Sequence, residues 1–348
     1  MKQKKHIAFF ISSLNIGGVE KVFVTYANKL QDKGYQLDFI VCKNQGDLLN
    51  TLSPEINLIN LGDIKLRNSI LKLRKYIKAR NPDILISGPD FPNFVNILSS
   101  LFIKKKPRII ITQHNYINIE TSKLGLHGKL LPFFIKILYP YADKIITVSK
   151  DISEFLMKDF KIQPAKLTHI SNPILCEDIE KFSKEPLTFN LPTNYIVFVG
   201  RLSIVKNIPM LLEAFKLLEN DNLELVFVGE GIEEKNLKTI VHDLKIKNVY
   251  FLGPTNNPYN IINNAQLVVL PSWSESFSVV LIESLVLKKT IVSTPTKGAM
   301  NVLNNGEFGY ISNSFEYKEF SELIKYALKN PLNEDKLYKR GKMYDIKI

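Results

Sequence analysis

Cysteine is scarce: the chain of 348 residues holds two, Cys42 and Cys176. They make neither a disulfide framework nor a metal cluster, and the chain is read as a reduced, cytoplasmic protein. No apolar run approaches the roughly 18–20 residues of a membrane span. The first apolar run, Ile7 to Ile11, is cut short by Ser12, Ser13 and Asn15, so it reads as a first strand and not a targeting segment. There is no Asp-x-Asp pair of the kind that holds a divalent cation against phosphate. No side chain stands out as a nucleophile, and no recognised nucleic-acid motif is present.

Positive charge is abundant and uneven. Residues 1–183 carry 27 Lys+Arg against 16 Asp+Glu, a balance of +11; residues 184–348 carry 19 against 18, a balance of +1. The excess gathers in Lys65 to Arg80 and in Lys104-Lys105-Lys106-Pro107-Arg108. Such asymmetry suggests an anionic partner for the first half, either a membrane surface or nucleic acid. A lysine-biased surface with no partner is the plain alternative.

Strand-like apolar runs alternate with helical spacing throughout. His6 to Ser12, Gln36 to Cys42, Asp83 to Ser87, Arg108 to Thr112 and Lys144 to Val148 read as strands. Val19, Val22, Phe23, Tyr26, Ala27 and Leu30 mark a helix that Gly34 should stop. Helices are also expected over Asp90–Leu101 and Asp151–Phe160, and Leu126–Tyr141 reads as a core helix with an interfacial surface as the alternative. A polar stretch from Cys176 to Asn194 separates this series from a second. The second has strands at Tyr195–Val199, Leu225–Val228, Val249–Leu252, Leu267–Leu270 and Ile291–Ser293. Asn207 is expected to cap a helix through its side chain. The layout predicts an α/β chain of two doubly wound, Rossmann-like domains facing a cleft. Their expected bounds are 1–183 and 184–333, with a terminal helix over 334–348 packing back on the first domain.

Pro271 to Leu285 is the most informative stretch. An apolar strand ends at Pro271, a polar loop carries Glu275, and an apolar-periodic helix carries Glu283. In open α/β sheets, that strand-to-helix junction is where ligands bind. Val279, Val280, Ile282 and Leu285 leave Glu283 little solvent, and a carboxylate in that setting needs a partner or a ligand. Taken singly, Glu275 could be a solvated loop acid and Gly17-Gly18 a tight turn. A glycine pair before a helix also suits phosphate.

The ordered set Gly17-Gly18, Ser149, Gly200-Arg201, Lys206, Glu275 and Glu283 resembles the retaining nucleotide-sugar glycosyltransferases of family four, which have the GT-B fold. The likeness runs from about His6 to the terminal helix, and it implies that residues 1–183 bind the acceptor and residues 184–333 the nucleotide sugar. It implies hexosyl transfer from a nucleoside diphosphate sugar, with UDP the expected nucleotide, to a hydroxyl of a glycan or lipid-linked oligosaccharide in bacterial surface polysaccharide synthesis. It implies no cofactor and no metal, with Arg201 and Lys206 neutralising the diphosphate. Gly17 and Gly18 would hold pyrophosphate, Glu275 the transferred sugar, Glu283 the ribose hydroxyls, and His114 would lie near the sugar. Ser276, Phe277 and Ser278 complete the implied donor loop. Serine at 276 and 278 replaces the glycines usual in the family, and Gln266 and Asn301 replace usual acids. The expected location is peripheral, on the inner face of the cell membrane, with the basic first half against anionic lipid. Rival readings are a sugar-nucleotide epimerase of the same layout, a non-catalytic basic binding module and an inactive transferase.

Overall fold

The computed structural model describes residues 4–15, 17–114, 125–187, 190–218 and 222–346. The chain forms two compact units, the first ending at Pro173 and the second beginning at Ile174.

The first unit is built on a parallel sheet of seven strands in the order β3-β2-β1-β4-β5-β6-β7. These are β1 His6–Ile11, β2 Gln36–Val41, β3 Asn57–Asn60, β4 Ile84–Ser87, β5 Arg108–Gln113, β6 Lys144–Thr147 and β7 Leu167–His169. Every residue of β1 is buried, yet alternation still governs it. Ile7, Phe9 and Ile11 pack with helix α1 (Gly18–Asp32) through Val22 and Phe23. Ala8 and Phe10 face the other way, toward Leu73 and Ile77 of α2 (Ile70–Arg80) and Val95 of α3 (Asp90–Ser100). Helices on both faces explain why the strand is apolar throughout. Helix α1 ends as expected: Gly34 has φ 79° and Tyr35 N donates to Leu30 O at 3.2 Å. Helices α4 (Gly125–Leu138) and α5 (Lys150–Phe160) complete the unit.

Helix α4 corrects the reading of its segment as core. Leu131, Ile135 and Leu138 are buried, but Leu130, Phe133, Phe134 and Ile137 are 40–58% exposed.

The second unit has six parallel strands in the order β10-β9-β8-β11-β12-β13. They are β8 Tyr195–Val199, β9 Glu224–Val228, β10 Val249–Phe251, β11 Leu267–Leu270, β12 Ile291–Ser293 and β13 Tyr310–Ile311. Around them lie α6 Cys176–Phe182, α7 Ile208–Lys216, α8 Glu234–Asp243, α9 Tyr259–Asn264, α10 Val279–Val286, α11 Lys297–Val302, α12 Tyr317–Lys329 and α13 Glu334–Lys342. One continuous core joins all the central strands to Leu281, Ile282 and Leu285 of α10.

Three expectations change. The boundary lies before residue 183, because Cys176 and Ile179 of α6 are buried in the second unit's core. The terminal helix stays with the second unit: Leu337 enters the same core, and a Cβ at Gly341 would come 2.7 Å from Val286 N of α10. Asn207 precedes α7 in the left-handed region, φ 49°, and its side chain makes no capping bond.

In each sheet the strand order reverses beside the unit's first strand, between β1 and β4 and between β8 and β11. Ligands of doubly wound sheets bind outside the strand ends at that switch point. Gly17-Gly18 follows β1, and Gly200-Arg201 and Pro271–Ser278 follow β8 and β11.

Candidate active site

In the second unit, the loops after β8 and β9 meet through glycine. Gly229 has φ 129°, and a Cβ there would collide with the Gly200 carbonyl oxygen. Gly200 N donates to Val228 O at 2.9 Å, and Leu202 N to Glu230 O at 2.9 Å. This approach sets the short 3₁₀ turn Ile204–Lys206, which carries Lys206.

Lys206 Nζ lies 2.5 Å from Glu275 Oε1, and Ser272 Oγ donates to the same oxygen at 2.7 Å. The lysine and glutamate side chains are 21% and 11% exposed, so this is a half-buried charge pair with a third polar partner. The loop that carries Glu275 is tied on three sides. Trp273 N donates to Val205 O at 2.8 Å, Thr294 Oγ1 to Ser272 O at 2.6 Å, and Gly298 N to Glu275 O at 2.8 Å. These bonds hold the carboxylate and the ammonium before any ligand arrives, the preorganisation that charge stabilisation needs. Arg201 is exposed and makes no ion pair among the described residues.

Ser276 and Ser278 are 8% and 4% exposed, and neither has positive φ. The loop therefore does not require glycine at those two positions. Phe277 is partly buried, with its ring 5.9 Å from that of Tyr344 beyond α13.

Glu283 is 5% exposed on α10. Tyr259 OH donates to its Oε1 at 3.2 Å. Burial, and then the Glu283 carboxylate, push the Tyr259 phenol well above its usual range, so it stays a donor. Tyr259 was not singled out in the sequence; its one local signal is the Asn257-Pro258 turn before it, where Tyr259 N donates to Asn257 Oδ1 at 3.1 Å.

In the first unit, His114 follows β5 and is 6% exposed. Burial lowers its pKa to about 4, so the imidazole is neutral. Its Nε2 lies 2.9 Å from Thr112 Oγ1, and Thr112 Oγ1 donates to Ser87 O at 3.1 Å. The threonine proton being committed, His114 must donate from Nε2, which leaves Nδ1 as an acceptor. Nδ1 is buried and has no partner among the described residues. Asn93, Gln113, Asp90 and Tyr139 form a buried network beneath it: Asn93 Nδ2 to Thr112 O at 2.9 Å, Tyr139 OH to Gln113 Oε1 at 2.6 Å, Gln113 Nε2 to Asp90 Oδ1 at 2.8 Å. Phe23 of α1 lies 6.4 Å from the His114 ring.

Gly17 and Gly18 open α1 with Gly17 extended, and Lys21 N donates to Gly17 O at 3.0 Å. A side chain at Gly17 would collide with the Glu20 carboxylate, while the space beside Gly18 is open. Ser149 caps α5, its Oγ accepting from Ile152 N at 3.3 Å.

The sequence-predicted residues thus fall into two sets. Lys206 and Glu275 touch, and the turn and loop that carry them are joined through Val205 and Trp273. Gly17, Gly18 and His114 share the switch-point end of the first sheet, joined through Phe23. Among the described residues no group of three His, Cys, Asp or Glu could hold a metal ion.

Residues 179–344 match the family model for glycosyl transferases group 1, and residues 16–178 match that for glycosyltransferase family 4. A Campylobacter jejuni protein named N-acetylgalactosamine-N,N'-diacetylbacillosaminyl-diphospho-undecaprenol 4-alpha-N-acetylgalactosaminyltransferase is 30% identical over 346 residues, 97% of this chain and 92% of that protein. This chain belongs to the group 1 glycosyltransferases of family 4. A second relative of the enzyme, from the same organism, is a GalNAc-alpha-(1->4)-GalNAc-alpha-(1->3)-diNAcBac-PP-undecaprenol alpha-1,4-N-acetyl-D-galactosaminyltransferase, 27% identical over 88% of this chain and 84% of its own. The crystal structure of Anabaena Alr3699/HepE in complex with UDP and glucose superposes with a TM-score of 0.79 at 17% identity, covering 97% of this chain and 95% of that one. The glycosyltransferase has the GT-B class of fold, two parallel sheets each wound with helices.

Proposed function

We propose that this glycosyltransferase moves an N-acetylhexosamine from a UDP-sugar to a hydroxyl of an undecaprenol-linked glycan, with retention at the anomeric carbon and without a metal ion. The observation that carries this reading is the preformed Lys206–Glu275–Ser272 cluster at the switch point of the second sheet, with Glu283 further along α10. The two Campylobacter relatives, whose names specify N-acetylgalactosaminyl transfer to undecaprenol-linked glycans, support the sugar and the acceptor. The neighbour with bound UDP supports the nucleotide.

Lys206 and Arg201 take the diphosphate, whose charge grows as the glycosidic C–O bond breaks. Glu275 gives its second oxygen to hydroxyls of the transferred sugar. Glu283 accepts from the ribose hydroxyls, and Ser276, Phe277 and Ser278 line the donor loop. In the first unit, Gly17 and Gly18 offer backbone N–H groups to the pyrophosphate. His114 accepts a sugar hydroxyl at Nδ1, a role that a neutral imidazole with an unsatisfied buried acceptor suits. The acceptor oxygen attacks the anomeric carbon on the face the diphosphate leaves, and its proton passes to the departing phosphate oxygen.

The first unit supports work at the inner face of an anionic membrane. Phe91 and Phe94 of α3 and Phe133 and Phe134 of α4 form a chain of ring contacts, 6.0, 5.7 and 5.9 Å between centroids. Phe102 is 94% exposed, and Lys104, Lys105 and Lys106 follow it on the surface. Apolar side chains beside lysines are the composition of an interfacial contact.

Kinetics of Lys206→Ala test the donor-site reading. A loss of about 2–4 kcal/mol in transition-state stabilisation is expected, mostly in kcat, as for removal of one charge-stabilising donor. Unchanged kcat and KM would remove Lys206 from the site.

A further inference from the structure

Thr112 has no part in the roles proposed above, yet it holds the His114 ring. It lies on β5, two residues before His114, and is 6% exposed. Its Oγ1 stands 2.9 Å from His114 Nε2 and 3.1 Å from the carbonyl oxygen of Ser87 at the end of β4. A carbonyl oxygen only accepts, so the hydroxyl proton goes to Ser87. The hydroxyl oxygen then accepts from the ring, and the nitrogen facing it carries a proton.

The backbone on either side places this hydroxyl. A Cβ on Gly88 would collide with Thr112 Oγ1 and come 3.1 Å from Phe23 Cζ, so the missing side chain makes room for both. Phe23 in turn lies 6.4 Å from the His114 ring. The Thr112 carbonyl oxygen accepts from Asn93 Nδ2 at 2.9 Å, and Asn93 Oδ1 accepts from Ser87 Oγ at 2.9 Å. Asn93 of α3 thus ties β4 and β5 together around the hydroxyl.

The consequence is chemical. The ring is neutral, and with its one proton on Nε2 the Nδ1 atom has a lone pair and nothing to donate. Nδ1 is buried and has no partner among the described residues. A buried acceptor left unpaired is costly, so it suits a ligand that gives a hydrogen bond. A hydroxyl or an amide N–H does so; a carboxylate or phosphate oxygen does not. We propose that Thr112 is a positioning residue for the transfer: it fixes the His114 proton on Nε2 and so keeps Nδ1 an acceptor for a hydroxyl or amide N–H of the donor sugar. This rests on the placement of His114 against the transferred sugar proposed above.

Nitrogen NMR of the full chain, with isotope-labelled histidine, reads the proton directly. The His114 signals are assigned by their loss in His114→Gln. At neutral pH the parent should show a ring N–H on Nε2, protected from exchange with water, and a bare Nδ1. Thr112→Val, close in shape, should lose that protection, and Thr112→Ser should keep it. Kinetics should follow. The kcat/KM for UDP-N-acetylgalactosamine should fall about tenfold in Thr112→Val and stay within about threefold in Thr112→Ser, while UDP, which has no sugar, binds all three proteins alike. A proton on Nδ1 in the parent would overturn the proposal, whether or not the variants fold. So would an Nε2 proton that stays protected in Thr112→Val, an unchanged kcat/KM in that variant, or a loss of UDP affinity equal to its loss of activity. If His114→Gln transfers sugar at the parent's rate, the placement of His114 at the sugar fails and the role of Thr112 falls with it. The position of the proton, read in the parent, does not depend on that outcome.

Discussion

Replacing Glu283 by Gln removes one charge and little volume at a position that is 5% exposed. The Gln carbonyl oxygen can still accept from Tyr259 OH, now 3.2 Å from Glu283 Oε1. The Tyr259 bond loses its charge assistance, about 1 kcal/mol of stability. Donor binding loses more. A bond from a neutral hydroxyl to a charged acceptor is worth about 1.5–3 kcal/mol, so UDP affinity should fall by roughly 10- to 150-fold. Calorimetric titration of parent and Glu283→Gln with UDP measures this. The same titration with 2′,3′-dideoxy-UDP separates the ribose contact from everything else: the two proteins should then bind alike. Equal affinity for UDP would refute the assignment of Glu283 to the ribose. A Glu283→Gln defect that persists with the dideoxy nucleotide would refute the contact while leaving Glu283 in the site.

Three further outcomes are expected. Because burial lowers the His114 pKa to about 4 from 6.5, the unfolded chain takes up that proton first as pH falls. The parent should therefore lose about 3 kcal/mol between pH 6.5 and about 4 that His114→Gln does not lose; identical pH slopes in urea unfolding would contradict the neutral imidazole. Gly229→Ala combines positive φ with a collision against the Gly200 carbonyl oxygen, and should destabilise by at least about 2 kcal/mol while weakening UDP binding, both read by thermal shift. Vesicle sedimentation should show binding to anionic but not neutral bilayers, halved or worse by Phe133→Ser with Phe134→Ser; equal binding to both lipids would end the membrane reading.

The central strands were legible because helices cover both sheet faces, which makes β1, β8 and β11 continuous apolar runs. The edges were not. β3 is Asn57–Asn60, largely exposed, and β13 is two residues long. Such segments become strands by pairing with β2 and β12, a tertiary effect with no local signal. Helix α4 misled for a related reason: apolar residues occupy its outer as well as its inner face, so periodicity could not say which side was covered. In the site, the glycine loops and Glu275 were visible as a pattern. The Lys206–Glu275 contact joins residues 69 apart, and Tyr259 and Glu283 are 24 apart. Neither spacing belongs to a helix or a hairpin, so only the fold brings these groups together. The serines at 276 and 278 depart from the family pattern, but their backbone is ordinary, a fact that φ decides and sequence does not.

The most direct test of the proposed function is proton NMR of the reaction between UDP-N-acetylgalactosamine and an undecaprenol-linked N-acetylgalactosaminide, run in excess chelator. UDP release that depends on the acceptor is expected, with a new α-anomeric signal matching the configuration of the donor. A β-linked product, or turnover that stops when divalent ions are removed, would contradict it.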